Sequence, residues 1–151
     1  MLKIASNKEK NRLLFDHLPE EREGTVLGKY FSHETLEGVL YNVFDTPGSQ
    51  KYSKNKLASM AMGDIAVCCV RSERGIFDQS FYGFHSLREE LMFARTQGLQ
   101  SLIFLTTFMD TIAYSEDKFI FMVEQLTKLA FQVGFKTEQV QVSPGFDFEQ
   151  S

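Results

Sequence analysis

Tyr41-Asn42-Val43-Phe44-Asp45-Thr46-Pro47-Gly48 is the stretch of sequence that decides the fold. A mostly apolar run ends in an acidic residue, and a Pro-Gly turn follows at once. In an α/β sheet, strands end at the carboxyl edge, and ligands bind in the crevice outside that edge. The stretch therefore predicts a strand that places the Asp45 carboxylate there.

The chain around this stretch alternates between strand and helix patterns. Residues 25–33 and 39–44 predict an antiparallel hairpin, because two strand-like runs flank a short polar link. Continuous apolar runs predict buried strands at 65–70 and 101–106, the first covered on both faces, and a short strand is expected at 140–142. A further strand is predicted at 2–5 and a loop with exposed aromatic residues at 72–85.

Helices are predicted at 11–18, 53–62, 86–97 and Glu116–Val133. Ser86 and Glu89 have the spacing of a capping box at the start of the third helix. The fourth helix has the clearest pattern, with one apolar stripe at helical spacing, followed by Gly134: Phe119, Met122, Leu126, Leu129 and Val133. Strands that alternate with helices predict a three-layer α/β fold, with a mostly parallel sheet, helices on both faces and one antiparallel edge hairpin. We expect a single domain over residues 1–151.

Composition and net charge exclude some classes of function. The chain has 151 residues, 43% of them apolar, which is enough for one globular core. Its net charge of -4 disfavours a nucleic-acid binder that works by neutralising phosphates, so we expect no direct sequence-specific nucleic-acid partner. No stretch reaches the ~18–20 apolar residues of a membrane helix, so no membrane span is expected. The first five residues are too short for a secretory signal.

The two cysteines are adjacent, Cys68 and Cys69, within an apolar run. Neighbours on a strand point to opposite faces and are poorly placed to form a disulfide. They are therefore interpreted as small buried hydrophobic residues of an intracellular protein in a reducing compartment, cytoplasmic or organellar.

Several motifs occur in an order typical of one family. They are Glu21-Arg22-Glu23-Gly24-Thr25, Asp45-Thr46-Pro47-Gly48 with Lys54-Asn55 behind it, the segment Arg74-Gly75-Ile76-Phe77-Asp78-Gln79-Ser80-Phe81, Arg88-Glu89, and Gly134-Phe135-Lys136. With these motifs, residues 15–148 resemble the G domain of translational GTPases, most of all the eukaryotic elongation factor 1-alpha and release-factor group. The resemblance implies a P-loop-GTPase-like fold and a site for GTP or GDP with magnesium.

The same resemblance assigns candidate nucleotide-binding residues. Thr25 corresponds to a magnesium-ligating threonine, and Asp45 and Gly48 belong to the Asp-x-Pro-Gly motif. Asp110 corresponds to the acidic residue that reads guanine, and Ser143 to the last turn that contacts the base. Simpler structural roles compete with three of these assignments: Thr25 can begin a strand, Asp45 can cap the Pro-Gly turn, and Asp110 can cap a turn.

The active-site motifs depart from the family pattern. No glycine precedes Gly24, so the phosphate-binding Gly-x-x-x-x-Gly-Lys-Ser/Thr is not present. Ser49 replaces the histidine that positions water, and Thr107-Phe108 replaces the Asn-Lys of the base motif. Pro144 has no N–H to offer the base. Because phosphoryl transfer depends on these positioning groups, we expect no GTP hydrolysis and assign no catalytic residue.

The first eighteen residues allow two interpretations. They can be a compressed first strand, eroded loop and first helix, with Lys10, Asn11 and Arg12 near the lost Lys-Ser/Thr positions. Alternatively, the chain begins after the phosphate loop and the sheet lacks its central strand. We favour the first, because removing a central strand leaves unpaired backbone groups in the core.

The predicted function is a catalytically inactive relative of elongation factor 1-alpha that serves as a structural or protein-binding subunit of a larger assembly. Its partners are expected to be protein subunits, with no cofactor and no metal site. Four aromatic residues of the 72–85 loop are candidates for partner contact, unless the loop folds back over the domain: Phe77, Phe81, Tyr82 and Phe84. The alternative is a residual GTP- or GDP-binding GTPase with magnesium, a fragment of a longer elongation-factor-like protein.

Overall fold

The computed structural model describes residues 29–46, 53–73, 75–82 and 86–145. The chain divides into two compact units, Met1–Met62 and Gly63–Ser151. The strand predicted at 2–5, the helix predicted at 11–18 and the start of the strand predicted at 25–33 lie outside the described residues. The expectation of a single domain stays a prediction.

The first unit contains the predicted antiparallel hairpin. Strand β1, Lys29–Glu34, pairs with strand β2, Leu40–Asp45, in a register that places Lys29 opposite Asp45. The connecting turn is closed by a 2.8 Å hydrogen bond from the Thr35 N–H to the Val39 carbonyl. Helix α1, Ser53–Met60, follows. The hairpin that the sequence predicted is therefore confirmed, with Asp45 as the last residue of β2.

A parallel three-stranded sheet forms the centre of the second unit. Its strands are β3, Ile65–Arg71, β4, Ser101–Thr107, and β5, Val140–Pro144, in the order β3-β4-β5. The helices between them are α2, Ile76–Tyr82, α3, Leu87–Thr96, and α4, Glu116–Val133. Short 3₁₀ turns cover Met109–Ile112 and Thr137–Gln139. The mixed α/β fold with a parallel sheet and an antiparallel hairpin is confirmed.

The core of this unit lies between one face of the sheet and helices α3 and α4. Fully or nearly fully buried apolar side chains from β4, α3 and α4 meet there: Leu102, Phe104, Leu91, Ala94, Met122, Leu126 and Leu129. The predicted stripe of α4 is confirmed at Met122, Leu126 and Leu129. Gly134 ends the helix at φ 100°, a left-handed conformation that glycine adopts without steric cost.

The opposite face of β3 differs from the prediction. The run was expected to be covered on both faces, but Ile65 and Val67 are 53% and 59% exposed. Burial alternates along the strand, so its neighbours Ala66, Cys68 and Val70 face the helices. An apolar run of strand length identified the strand correctly and did not reveal the exposure of Ile65 and Val67.

The two cysteines follow the same alternation. Both are free thiols; Cys68 is half-buried, and Cys69 on the other face is exposed. Burial, with smaller effects of Cys69 and Glu90, raises the pKa of the Cys68 thiol from 9.0 to about 12. The prediction of two buried cysteines is therefore wrong for Cys69.

Two local predictions also need correction. Residues 72–85 were predicted to form a loop, but Ile76–Tyr82 is helical, because Gly75 at φ 84° allows the chain to turn directly into a helix. Ser86 is the N-cap of α3 as predicted, but its side chain makes no capping hydrogen bond. The Glu89 N–H bonds the Ser86 carbonyl at 2.9 Å instead, so the capping box is absent.

Candidate functional site at the carboxyl edge of the parallel sheet

The three parallel strands end at one edge of the second unit. Arg71 at the end of β3 lies opposite Thr107 at the end of β4, and Thr106 lies opposite Pro144 at the end of β5. Parallel pairing in register therefore brings together the segments that follow each strand. In open α/β sheets, this edge is where ligands bind.

Ser72 connects the first two of these segments. Its hydroxyl lies 2.7 Å from the carbonyl oxygens of both Thr107 and Phe108, and its single proton is shared between these two acceptors. Its N–H also donates to the Thr107 carbonyl at 2.9 Å. Because Ser72 is only 4% exposed, these bonds satisfy the buried hydroxyl and N–H of Ser72.

Phe108 has an unusual backbone conformation. Its φ of 58° is left-handed, which is costly for a bulky residue and is stable only when neighbouring groups hold it. Its carbonyl oxygen accepts a hydrogen bond from the Ser72 hydroxyl and a second one, at 2.7 Å, from the Thr111 hydroxyl. These contacts fix the turn after β4 and leave the Phe108 side chain 42% exposed at the edge of the sheet.

A guanidinium group covers this aromatic ring. The Arg71 Cζ lies 4.6 Å from the centre of the Phe108 ring, within the range of a cation–π interaction. Arg71 Nη2 also forms an ion pair with Glu73 Oε2. The cation of Arg71 is therefore engaged with both an aromatic face and a carboxylate.

Thr106 and Gly145 join β4 to the end of β5. The Gly145 N–H donates to the Thr106 carbonyl at 2.7 Å. A Cβ at position 145 would lie 2.6 Å from that same oxygen, so the approach requires glycine. The fully buried Thr106 hydroxyl lies 3.4 Å from both Met109 Sδ and the Ser143 carbonyl.

The nucleotide-binding candidates are distributed between the units. Asp110 lies exposed in the 3₁₀ turn after β4, and half-buried Ser143 lies in β5, so both are at the carboxyl edge. Asp45 ends β2 in the first unit. Thr25 and Gly48 lie outside the described residues. The roles of all five in nucleotide binding stay predictions.

Among the aromatic candidates for partner contact, Phe77, Phe81 and Tyr82 lie in helix α2 and not in the expected loop. Phe77 is only 7% exposed, and its ring packs 4.9 Å from that of Phe81 and 6.4 Å from that of Phe121. For Phe77, the alternative in which the segment folds back over the domain is therefore correct. Tyr82 lies at the end of α2, and Phe84 is outside the described residues.

Sequence reasoning missed Arg71, Ser72 and Glu73. The signal was available, because Arg71 ends an apolar run just as Asp45 does. The same logic that placed Asp45 at a carboxyl edge applies to this second strand end. The pairing of Arg71 with Phe108, however, depends on a parallel register between segments 37 residues apart and is not readable from local pattern.

The described part of this edge does not fit a phosphate group. Its only cation, Arg71, is already engaged by Glu73 and Phe108, and no lysine lies at the strand ends. It does offer one group suited to a purine base, the exposed carboxylate of Asp110.

Within the described ranges, no group of three or more His, Cys, Asp or Glu residues is arranged to hold a metal ion. The helices in those ranges are all too short or too polar to cross a membrane.

Comparison with known proteins shows the family. The family model described as elongation factor Tu GTP binding domain matches residues 2–150. The elongation factor 1-alpha of Methanosphaera stadtmanae is 33% identical over 147 residues, which are 97% of this chain and 34% of that protein. Elongation factor 1-alpha 2 of Euplotes crassus is 28% identical, again over 97% of this chain and 34% of that protein. The chain spans about a third of the length of the curated relatives it matches.

Solved structures show the same fold. A crystal structure of sup35 complexed with GDP is similar over 90% of this chain and 32% of the sup35 chain, with a TM-score of 0.62 and 24% sequence identity. A structure of sup35 complexed with GMPPNP matches with a TM-score of 0.61. At this identity, the similarity shows the fold alone. The P-loop-GTPase-like fold and the relation to translational GTPases that the motifs predicted are confirmed.

Proposed function

This chain belongs to the family of the elongation factor Tu GTP binding domain, and we propose that it is a member that does not hydrolyse GTP and acts as a protein-binding or structural module of a larger assembly. Its ancestry is that of a nucleotide-dependent switch. Its present role is to present a folded α/β surface to protein partners.

The observation that carries this proposal is the arrangement of Arg71, Phe108 and Glu73. In the family pattern, Asn and Lys occupy the positions that are here Thr107, the last residue of β4, and Phe108, the residue after it. The Phe108 ring is stacked 4.6 Å from the Arg71 guanidinium, and that cation is neutralised by Glu73. The edge thus uses its aromatic and charged groups for contacts within the protein, where a working GTPase needs them free for its ligand.

The exposed apolar surface of the hairpin supports a binding role. Leu36 at the turn is fully exposed, and several strand side chains are more than half exposed: Tyr30, Leu40 and Tyr41. Tyr30 and Leu40 lie on one face of the hairpin and Tyr41 on the other, so each face exposes large apolar groups that a partner could cover. Tyrosine in particular is enriched at protein interfaces, because its ring is apolar and its hydroxyl is polar.

Residual guanine-nucleotide binding is the second candidate. Asp110 keeps an exposed carboxylate at the carboxyl edge, where it can accept hydrogen bonds from the amino groups of a base. The sup35 structures that share the fold are complexes with GDP and GMPPNP. In this alternative, the chain is a fragment of a longer elongation-factor-like protein that binds GTP or GDP with magnesium.

Isothermal titration with GTP and with GDP, each with magnesium, separates the two candidates. We expect no binding tighter than the millimolar range. Micromolar affinity that Asp110→Ala abolishes would overturn the proposal in favour of nucleotide binding at this edge. A phosphate-release assay completes the test, because turnover above the no-protein control would contradict the loss of hydrolysis.

The assembly role has its own test. The protein is isolated from its source under native conditions, and its mass is compared with that of the 151-residue chain. We expect stable association with other subunits. A lone monomer that co-purifies with nothing would contradict the subunit role while leaving the loss of hydrolysis unaffected.

A further inference from the structure

A mostly apolar stripe, which we call the apolar stripe, lies along one flank of helix α4, separate from the buried stripe that packs on the sheet. Its members follow each other at spacings of three and four residues, which places them on one face of the helix: Ile120, Val123, Thr127 and Phe131. Ile120 and Phe131 at its ends are 49% and 43% exposed. A shallow hollow of about 670 Å³ opens along this flank.

Two charged residues border the stripe on the same side. Glu124 and Lys128 lie one helical turn apart, and both line the hollow. Neither forms an ion pair with another residue in the part of the chain that the structure describes. Gln132 is engaged differently, because its Oε1 accepts a hydrogen bond from Arg88 Nη1 of α3 at 3.2 Å. Both of these charges are therefore available to a partner beside the stripe.

This flank is complementary to itself. When two copies of a helix pack antiparallel about a two-fold axis, the same edge of each helix meets its counterpart. An edge that carries one acid and one base then forms two equivalent ion pairs, Glu124 to Lys128 of the second copy and the reverse. A two-fold axis must pass through the midpoint of each pair. Measured along the helix axis, the midpoint between Ile120 and Phe131 lies within about 1.5 Å of the midpoint between Glu124 and Lys128, because the helix rises ~1.5 Å per residue. One register thus satisfies both the apolar and the charged pairs.

We propose that this flank of α4 is a self-association surface, on which a second copy of the chain packs its own α4 antiparallel about a two-fold axis. A single helix flank buries less area than a standard interface, so the dimer is weak and dependent on concentration. The proposal concerns a surface away from the carboxyl edge and holds whether or not the chain binds a nucleotide.

Charge reversal tests the proposal with the 151-residue chain in sedimentation-equilibrium experiments from about 1 µM to about 500 µM at low salt. Glu124→Lys or Lys128→Glu alone places like charges opposite each other in both symmetric pairs, and we expect dimerisation to weaken about tenfold. The double variant Glu124→Lys/Lys128→Glu restores both pairs with inverted sign, so we expect its dissociation constant to return to the wild-type value. Lys118→Glu, an exposed reversal on the same helix but outside the hollow, serves as the matched control and should leave it unchanged.

A wild-type chain that stays monomeric throughout this range would overturn the proposal. So would a dimer that tolerates both single reversals, or one that the double variant fails to restore. Circular dichroism of each variant verifies that it is folded. Phe131→Ser gives a readout that does not depend on charge, because removal of the exposed ring should weaken the dimer at any salt concentration.

Discussion

The Ser72 hydroxyl donates to the carbonyl oxygen of Phe108 across 2.7 Å, which joins the residue after β3 to the residue after β4. Through this bond, the end of one strand holds the left-handed turn that follows its neighbour. The aromatic ring that Arg71 covers is therefore positioned by a serine 36 residues away in sequence.

Replacing this serine should destabilise the protein. In Ser72→Ala, the partly buried carbonyl oxygens of Thr107 and Phe108 lose the hydroxyl donor, so we expect the free energy of unfolding to fall by about 1–2 kcal/mol. Urea denaturation followed by circular dichroism measures the change. Ser115→Ala is the control, because Ser115 caps α4 without a side-chain hydrogen bond, and its loss should cost much less. Equal losses for both variants would contradict the role given to Ser72.

A side chain at position 145 should also be poorly tolerated. In Gly145→Ala, the new Cβ would lie 2.6 Å from the Thr106 carbonyl oxygen, so β5 must move or lose its hydrogen bond to Thr106. We expect a loss of about 2–3 kcal/mol, typical of overpacking. The comparison is Gly98→Ala, where nothing lies within 4 Å and only the positive φ is unfavourable, at a cost of about 1–2 kcal/mol. Thermal melts of the two variants rank the effects, and a milder effect at position 145 would refute the close approach.

Phe77 should stabilise the folded state of the second unit. Because its ring is buried against Phe81 and Phe121, Phe77→Ala leaves a cavity and should lower the free energy of unfolding by about 3–5 kcal/mol. Phe93→Ala, which removes a ring that is 40% exposed, is the control and should cost far less. If Phe77→Ala were as stable as the control, the packing of α2 against α4 would be wrong, and Phe77 would again be a candidate for partner contact.

The two thiols should differ in reactivity. Alkylation at pH 8 should label Cys69 first, because it is exposed while burial keeps Cys68 protonated by raising its pKa to about 12. Peptide mapping identifies the labelled site, and Cys69→Ser should abolish the fast phase whereas Cys68→Ser should not. Fast labelling that persists in Cys69→Ser would contradict this assignment.

The same raised pKa makes stability depend on pH. The pKa of Cys68 is 9.0 in the unfolded chain and about 12 in the folded chain, so the unfolded state loses its proton first as pH rises. The contribution of Cys68 is therefore complete below pH 9.0 and is lost between 9.0 and about 12, with a limiting slope of about 1.4 kcal/mol per pH unit. Urea denaturation on either side of pH 9.0 should show a steeper fall for wild type than for Cys68→Ala. Identical slopes would contradict the burial of that thiol.

Local pattern was sufficient for much of the fold. The period-3.6 stripe of Met122, Leu126 and Leu129 identified α4, and the apolar run that begins at Ile65 identified β3, because both depend on neighbours in sequence. The site was predicted less completely. Asp110 and Ser143 were assigned through motifs and lie at the carboxyl edge, whereas Arg71 and Ser72 were missed, because their partners lie in another strand segment.

The sequence by itself determined the family, the order of strands and helices in the second unit, and the departures from the nucleotide-binding motifs, since these are properties of residue type and spacing. Tertiary structure decided which groups meet. The parallel register of β3 and β4 sets Arg71 on the Phe108 ring, and the packing of helices on the sheet decides that Cys68 is the more buried of the two cysteines. These outcomes depend on pairing between distant segments, where packing and hydrogen bonding override what each segment specifies alone.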